Sequence, residues 1–263
     1  MHLQKDTFST GQDATASACD FSFATWNIHS AIGTDDRMDM RRVTSVIAAI
    51  DADVIGLQEV GWHRSHHART DQFAYLREHT GYDVVEGLAR DPLRSRFGNA
   101  LLTRLPVVRS WWIDLKVIGH PPRAAVAVDL SAATTPLRVV VTHFGLTPPE
   151  REVQAKRLVE AIAPDAPGSV PTVSLGDFNM VRESTRASRL LREHFCTCAS
   201  APTYPSRRPV FALDRIYLSA HWKLHRTRVI HTDLSRLVSD HLPLVVEAAL
   251  AREPVVPAEQ KTL

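Results

Sequence analysis

Polar side chains follow the end of an apolar strand near residue 176. The run from Val170 to Leu175 predicts a buried strand, and Asp177 and Asn179 come directly after Gly176. A carboxylate and a carboxamide two residues apart suit a hard cation with a positioned water, because both groups present oxygen atoms. An Asx turn that caps the strand explains the same pair without any chemistry, so the pattern alone leaves both interpretations open.

Two other predicted strands end in side chains that suit metal binding or proton transfer. Glu59 ends an apolar strand predicted over residues 53–60, and a buried glutamate needs either a salt bridge or a metal ion. His143 lies near the end of the apolar segment 137–145, where an imidazole could reach a phosphate oxygen or a leaving oxygen. A core histidine satisfied by backbone groups is the alternative for His143.

Further candidates lie at strand starts. Asp214 opens one predicted strand, and Asp240 and His241 precede another. A helix or turn cap explains Asp240 but not the neighbouring histidine. Arg123 enters an apolar strand behind two prolines, where its guanidinium could clamp a phosphate through two hydrogen bonds. A surface salt bridge is the other interpretation of Arg123.

Apolar periodicity predicts the elements that position these side chains. Helices are predicted over residues 38–50 and 70–80, from Pro148 onwards and over 185–194. The helix from Pro148 has a predicted inner face of Val153, Leu158, Val159 and Ile162. Strands are predicted near residues 21–28, 53–60, 82–87, 97–103, 106–113, 123–130, 137–143 and 170–175. The middle of the chain is rich in strands and poor in helices, which favours antiparallel pairing.

Length and composition predict one large α/β domain over residues 21–250, with flexible tails at 1–20 and 251–263. The chain has 263 residues, of which 44% are hydrophobic and 23% charged, and no linker-like stretch divides it. The net charge of +2 is too small to indicate nucleic acid or an anionic membrane as a partner. The sequence leaves the oligomeric state undetermined.

The cysteines and the hydropathy of the sequence indicate the cellular compartment in which we expect the protein. Cys19, Cys196 and Cys198 cannot form a disulfide framework, which favours a reducing environment. No signal peptide and no membrane-spanning apolar run is evident, so we expect a cytoplasmic protein. His63 and His67 have metal-binding spacing but lie in a loop-like segment without the glutamate of a zincin motif, so we interpret them as solvated surface.

Seven short motifs together resemble one family. They are WNI at 26–28, LQEV at 57–60, GNALLT at 98–103, THFG at 142–145, GDFN at 176–179, LDRI at 213–216 and SDHLP at 239–243. In this order they resemble the endonuclease/exonuclease/phosphatase superfamily of metal-dependent phosphoesterases, in particular its compact bacterial members related to deoxyribonuclease I and sphingomyelinases. The resemblance implies a four-layer α/β sandwich, with two mixed β-sheets packed face to face, helices outside and the site at one end of the sheets.

The resemblance also implies a metal site and an attacking water. Glu59 resembles the principal ligand of Mg²⁺ or Mn²⁺, helped by Asn27, with Asp240 or Asp177 closing a second face. Asp177 and Asn179 resemble the pair that activates and orients the water. Mg²⁺ prefers one or two carboxylates together with waters and substrate phosphate, which this set can supply.

The remaining roles concern the phosphate and the protons. His241, held by Asp214, resembles either the base or a phosphate-binding cation. His143 resembles the histidine that protonates the leaving oxygen or stabilises the pentacoordinate phosphorus. Arg123, together with Asn99 of the GNALLT motif, is the predicted contact for the substrate phosphate.

The histidine at position 143 helps to distinguish between branches of the family. Abasic-site endonucleases have asparagine at the position that resembles His143, which argues against a role in abasic-site repair. Some nuclease branches supply an acidic partner for this histidine near the strand at 97–103, where this chain has Arg96. The sequence thus predicts a phosphoric ester hydrolase, specifically a phosphodiesterase acting on a lipid headgroup or a small phosphodiester.

Two other functions remain open at this point. A nuclease on DNA or RNA is suggested by Arg207, Arg208 and the arginine-containing segment 90–96. An inactive binding protein on the same fold is the alternative of another class. Motifs of other enzyme classes, such as G-x-S-x-G or a Walker A loop, are absent from the sequence.

Overall fold

The structure is a computed structural model that describes residues 20–61, 71–89, 96–132, 135–162 and 170–251. The predicted tails lie outside this part of the chain, except for Asp20 and Ala251, so their flexibility stays a prediction. The pair of His63 and His67 lies outside the described residues as well.

The described chain contains twelve strands and five α-helices, and most of the predicted elements occur within two residues of their expected bounds. The strands are β1 (Asp20–Asn27), β2 (Val54–Gly61), β3 (Asp83–Leu88), β4 (Phe97–Thr103), β5 (Val107–Asp114), β6 (Ala124–Ala132), β7 (Thr135–His143), β8 (Thr172–Asp177), β9 (Thr197–Ser200), β10 (Asp214–Leu218), β11 (Trp222–Val229) and β12 (Leu244–Leu250). The helices are α1 (Met40–Ile50), α2 (Gln72–Thr80), α3 (Pro148–Ile162), α4 (Arg186–His194) and α5 (Asp233–Val238), with a 3₁₀ turn at His29–Ala31.

The strands form two six-stranded mixed sheets. The first has the order β11-β12-β1-β2-β4-β3 and the second β5-β6-β7-β8-β10-β9. The pairs β1–β2 and β7–β8 are parallel, and the other strand pairs are antiparallel. The predicted antiparallel middle of the chain is therefore confirmed over β3 to β7.

Three apolar cores separate four layers, as the resemblance implied. The central core joins the facing sides of the two sheets, with Phe23 and Leu101 from the first sheet and Val139 and Leu175 from the second. A second core packs α1 and α2 on the outer face of the first sheet, and a third packs α3 and α4 on the outer face of the second sheet. Because the inner strands are buried on both faces, their sequences are almost continuously apolar.

The inner face of α3 differs from the prediction. Its buried positions include Arg151, Gln154, Ala155, Leu158 and Ile162, which follow helical spacing. Val153 falls on the outer side of this stripe and is exposed, so its predicted place in the core is wrong. The apolar periodicity gave a wrong inner face because three long polar side chains, Glu150, Arg151 and Gln154, are buried on this helix.

The ends of the parallel strand pairs create one polar end of the sandwich. In the second sheet His143 and Asp177 are register partners, and Asp214 is the partner of Asp177 on its other side. In the first sheet Asn27 ends β1 beside the end of β2, where Glu59 lies. A Cβ atom at Gly56 would lie 1.9 Å from Leu175 Cδ1, so glycine at this position lets the two sheets approach closely just below the site.

Candidate active site

Glu59 leaves the regular course of β2 at the polar end of the sandwich, which we call the catalytic end because it holds the candidate active site. The pairing of β2 with β4 shifts register between Leu57 and Val60, and Glu59 adopts a φ of 57°. This left-handed conformation is unfavourable for a glutamate, and bulges of this kind redirect side chains next to active sites. The Glu59 carboxylate accepts a hydrogen bond from Asn27 Nδ2 at 3.1 Å.

Asn27 connects the two sheets. Its Nδ2 also donates to Asp177 Oδ2 at 3.2 Å, and its Oδ1 accepts from the backbone of His29 at 3.0 Å. The carboxylates of Glu59 and Asp177 thus converge on one amide group. In this orientation Asn27 bridges the two acids, and its predicted ligation of a metal through oxygen requires the amide to turn over.

Asp177 occupies the centre of the site and is almost completely buried. Its Oδ1 accepts from the backbone of Asn179 at 2.9 Å, the geometry of the predicted Asx turn. Asn179 has a φ of 52° and donates its side-chain amide to Phe144 O at 2.9 Å. The Asx turn and the predicted catalytic pair are therefore compatible. The turn uses Asp177 Oδ1, and Asp177 Oδ2 faces both histidines of the site.

His241 is held by a chain of buried hydrogen bonds. Its Nδ1 donates to Asp214 Oδ2 at 2.8 Å, and the same oxygen accepts from Thr203 Oγ1 at 2.5 Å. Its backbone N–H donates to Ser239 Oγ, and its carbonyl accepts from Trp26 Nε1. These bonds direct Nε2 of His241 towards Asp177 Oδ2, 3.7 Å away.

His143 contacts the same acids from the second sheet. Its Nε2 lies 3.5 Å from Asp177 Oδ2 and 4.0 Å from Glu59 Oε1. Its Nδ1 lies 3.2 Å from Arg123 Nη1. Within the described part of the chain, no carboxylate lies within 4.0 Å of the Arg123 guanidinium. Arg123 therefore forms no salt bridge with these residues.

Asn99 and Asp240 lie at the edges of this network. Asn99 donates to Ala124 O at 2.8 Å and lines a narrow pocket together with Arg123 and His143. Asp240 is partly exposed, and its Oδ1 lies 3.9 Å from His29 Nδ1. The fold therefore gathers all ten predicted site residues at one end of the two sheets.

Burial and charge set the protonation of the central acid. Burial, together with the charge of Asp214, raises the pKa of Asp177 to about 6, although His241 and the hydrogen bonds from Asn179 and Asn27 act in the opposite direction. A carboxylate with this pKa is ionised at neutral pH and is basic enough to accept a proton.

The two histidines shift in opposite directions. Burial alone would lower the pKa of His241, but Asp214 outweighs it through its charge and hydrogen bond, and with Asp177 and Asp240 raises this pKa to about 10. Burial and the charge of Arg123 keep the pKa of His143 well below its usual value. At neutral pH His241 is therefore a cation and His143 is neutral.

The donor set fits a hard divalent cation beside Glu59. Among the described residues, Asp177, Asp214 and His241 bring possible ligand atoms within 4.8 Å of one another. His241 Nδ1 is bonded to Asp214 Oδ2 and its Nε2 faces Asp177 Oδ2, so these three side chains form a buried network of hydrogen bonds and ion pairs. Glu59 is partly exposed and shares Asn27 with Asp177, and such carboxylate oxygens are the ligands that Mg²⁺ prefers.

Three site residues escaped the sequence analysis: Thr203, Ser239 and Trp26. Ser239 Oγ donates to Asn27 O at 2.7 Å and so connects the loop before β12 to the end of β1. Trp26 lies within the WNI motif and Ser239 within the SDHLP motif. Membership of these motifs could have indicated that both residues belong to the site. Thr203 lies eleven residues before its partner Asp214, and nothing in the sequence marks their contact.

The sheet order, the layers and the geometry of the site are together those of one class of phosphoesterase fold. Two mixed sheets face to face, with helices outside and acids and histidines at one end, form the deoxyribonuclease I-like sandwich of phosphoesterases. The chain belongs to the endonuclease/exonuclease/phosphatase family, whose model matches residues 24–241. Members of this family hydrolyse phosphoester bonds and generally depend on a divalent metal.

Solved structures support the same fold. An endonuclease/exonuclease/phosphatase from Beutenbergia cavernae has a TM-score of 0.73 at 22% identity and covers 90% of this chain and 73% of its own. TDP2 from D. rerio, complexed with a single-strand DNA product, has a TM-score of 0.66 at 16% identity, covering 87% and 98%. A mannosyl-6-phosphatase from Bacteroides thetaiotaomicron has a TM-score of 0.67 at 15% identity, covering 88% and 100%. At these identities the likeness concerns the fold alone, and no curated protein matches the sequence.

None of the helices in the described residues has both the length and the apolar character needed to cross a membrane.

Proposed function

We propose that this protein is a Mg²⁺- or Mn²⁺-dependent phosphodiester hydrolase that attacks phosphorus with an activated water. The observation that carries the proposal is the continuous network in which Asn27 joins Glu59 to Asp177, while both His143 and His241 face Asp177 Oδ2. Acids, amide and imidazoles of the types that phosphoryl transfer needs therefore surround one small volume.

Each residue of the network has a distinct role in the proposed reaction. Asp177, ionised and basic, accepts the proton of the water as the water attacks phosphorus. His241, cationic and held by Asp214, stabilises negative charge on a phosphoryl oxygen. Asn179 fixes Asp177 Oδ1 so that Oδ2 receives the proton.

The metal would be held by Glu59, with Asp177 and Asp240 as the nearby acids. When bound, a divalent cation neutralises charge on the phosphoryl oxygens and lowers the barrier by several kcal/mol, roughly 3 as an order of magnitude. Arg123 and Asn99 line a narrow pocket together with His143 and are the proposed contacts for the remaining phosphate oxygen.

Exposed apolar side chains favour a lipid headgroup as the substrate. Ile118, Leu146, Val181 and Phe211 lie in four loops at the catalytic end of the second sheet, with exposed fractions of 95%, 71%, 59% and 42%. Large exposed apolar side chains around a site suit contact with a lipid surface. The expected occupant of the site is thus the phosphodiester of a phospholipid or a small phosphodiester.

Substrate assays with and without metal test the proposal. Bis-p-nitrophenyl phosphate, phospholipid vesicles, nucleotides and inositol phosphates would be offered with Mg²⁺, with Mn²⁺ and with chelator. Metal-dependent release of product from a phosphodiester is expected, and failure on the whole panel with both metals would refute the function. The double variant Leu146→Ser/Phe211→Ser should lower vesicle hydrolysis while leaving bis-p-nitrophenyl phosphate hydrolysis unchanged.

A metal titration tests the role of Glu59. Replacing Glu59 by Gln should raise the metal concentration for half-maximal activity by about 10- to 100-fold, because one anionic ligand becomes neutral. Glu86→Gln is a matched control, since Glu86 is a partly buried strand glutamate paired with Arg77 and Arg96. An unchanged metal requirement in Glu59→Gln would remove the metal-ligand role from this residue.

A nuclease is the second candidate, favoured by Arg207 and Arg208. Both are exposed in the loop before β10, at the catalytic end, and Arg207 donates to Thr34 O. A groove that follows phosphates loses affinity steeply as salt rises. Affinity of wild-type protein for single-stranded DNA should then fall steeply between low and moderate salt, and a flat salt dependence would exclude this candidate.

A further inference from the structure

His143 is paired with an arginine, whereas some nuclease branches of the family supply an acidic partner for the corresponding histidine. Arg123 Nη1 lies 3.2 Å from His143 Nδ1. A guanidinium has only N–H donors and no acceptor, so Nδ1 must receive this hydrogen bond through its lone pair. An acidic partner would instead demand a proton on Nδ1.

The opposite nitrogen of the ring faces acceptors. His143 Nε2 lies 3.5 Å from Asp177 Oδ2 and 4.0 Å from Glu59 Oε1, and the side chain is almost fully buried. A proton on Nε2 satisfies these carboxylates, whereas a bare nitrogen would oppose them with a second lone pair. Donor and acceptor requirements on both sides of the ring therefore agree on one tautomer.

We propose that Arg123 is a positioning residue that fixes His143 in the neutral Nε2–H tautomer, and that His143 stabilises the phosphoryl oxygens by donating this hydrogen bond while keeping its proton. The inference rests on the proposed phosphodiesterase function and decides between the two roles that the family resemblance left open for His143.

The proton balance of the reaction follows. The water oxygen forms the new bond to phosphorus and its proton passes to Asp177. The bond from phosphorus to the leaving oxygen breaks with its electron pair on that oxygen, which takes a proton from solvent. His143 cannot supply this proton, because a neutral imidazole that lost Nε2–H would become an imidazolate.

The surroundings of Arg123 support the assignment. Its Nε is buried without a hydrogen-bond partner, and no carboxylate of the described residues lies within 4.0 Å of its guanidinium, so no ion pair competes with its hydrogen bond to His143.

Nitrogen NMR of the histidine rings tests the tautomer without any turnover. In ¹⁵N-histidine-labelled, metal-free protein, the signals of His143 are identified by their loss in His143→Gln. Wild-type protein at neutral pH should show a protonated Nε2 and an unprotonated Nδ1. Arg123→Met should lose this single tautomer, Arg123→Lys should restore it at least in part, and Arg109→Gln, a distant arginine, should leave it unchanged. A proton on Nδ1 in the wild type would overturn the inference.

A series of aryl phosphodiesters tests the chemical role. His143→Ala should slow hydrolysis about a hundredfold, by a factor that is the same for acidic and for poor leaving groups. His143→Gln should recover much of the rate, because its amide can donate from a similar position. A loss that grows as the leaving group becomes less acidic would show proton transfer by His143 and refute the role. If no phosphodiester is hydrolysed at all, the proposed function fails, while the NMR result still decides the tautomer.

Discussion

Two buried aspartates of the second sheet, Asp129 and Asp177, have opposite surroundings. Asp129 of β6 has cross-strand partners on both sides, Arg109 on β5 and Arg138 on β7. Arg138 donates from Nε and Nη2 to the two carboxylate oxygens at 2.8 and 3.2 Å, and Arg109 Nε donates at 2.7 Å. Both guanidinia also lie over the ring of Trp111.

Among the described residues, no guanidinium bonds to Asp177. Its bonded partners are an amide and a backbone N–H, from Asn27 and Asn179, and the imidazoles stand at 3.5 and 3.7 Å. The pKa values follow these surroundings. Although burial opposes it, hydrogen bonds from the two arginines lower the pKa of Asp129, whereas burial and Asp214 raise the pKa of Asp177 to about 6.

The difference separates a structural acid from a reactive one. Asp129 is neutralised within the fold, so its charge stabilises the sheet and is not available for chemistry. Asp177 keeps a charge that the fold only partly compensates, which is the state expected of a group that accepts a proton or meets a cation. The same residue type therefore serves stability on one strand and reactivity on another.

The largest expected effect is on turnover. Asp177→Asn should lower the rate at least about a thousandfold, because the base is lost while its shape is kept. Its unfolding free energy at pH 7 should be retained or raised, since the ionised carboxylate is poorly compensated in the fold. Rates on bis-p-nitrophenyl phosphate and urea unfolding of the same preparation measure both. Near wild-type turnover would remove Asp177 from the mechanism.

The same substitution in the structural acid should have the inverse effect. Asp129→Asn should lower the unfolding free energy by about 3 kcal/mol, because the buried guanidinium of Arg138 loses its counter-charge and the exposed Arg109 loses its partner. This corresponds to about two orders of magnitude in the unfolding equilibrium. The rate per folded molecule should stay unchanged. If Asp129→Asn were as stable as wild type, the contrast between the two acids would not hold.

A smaller loss of turnover is expected when the residue behind Asp214, Thr203, is changed. Thr203→Val removes the hydroxyl that donates to Asp214 Oδ2 without changing the size of the side chain. We expect about a tenfold fall in kcat, because Asp214 then holds His241 less firmly. Thr103→Val is the matched control, since Thr103 is a buried threonine of β4 that bonds Leu105. Equal effects of both variants would indicate a purely structural role for Thr203.

A further effect concerns the pH dependence of stability, which is expected to have opposite sign at the two acids. The folded pKa of Asp177, about 6, lies above the ordinary 3.8, so its contribution to stability is full below 3.8 and is lost as pH rises through about 6. The folded pKa of Asp129 is depressed, so its contribution is full above 3.8 and is lost as pH falls through the folded pKa.

Unfolding of metal-free protein between pH 3 and 7 measures these signs. The stability of wild type relative to Asp177→Asn should fall as pH rises from about 4 to 6, by at most about 1.4 kcal/mol per pH unit. The stability of wild type relative to Asp129→Asn should be flat in that window and fall below about pH 4. Parallel curves for the two pairs would contradict the comparison.

Particular residues show how far the sequence predicts this molecule. The strands that carry Asn27, Glu59, His143 and Asp177 were predictable because they are apolar on both faces and end in polar groups. Val153 was misplaced because Arg151 and Gln154 bury long side chains on the inner face of α3. The partner of His143 was not predictable at all, since Arg123 reaches it from the segment directly before the neighbouring strand β6, twenty positions away in the sequence.

The sequence by itself determined the layers of the fold, the family and the identity of the groups at the catalytic end, because periodicity, strand ends and local motifs are encoded in consecutive residues. Only the tertiary structure decided which partner each group has. Protonation depends on that choice: an arginine bonds to His143, Asp214 bonds to His241, and no guanidinium in the described part of the chain bonds to Asp177. Electrostatic effects in a buried site act over a few ångströms between distant segments, so they are set by the packing of the two sheets and not by local sequence.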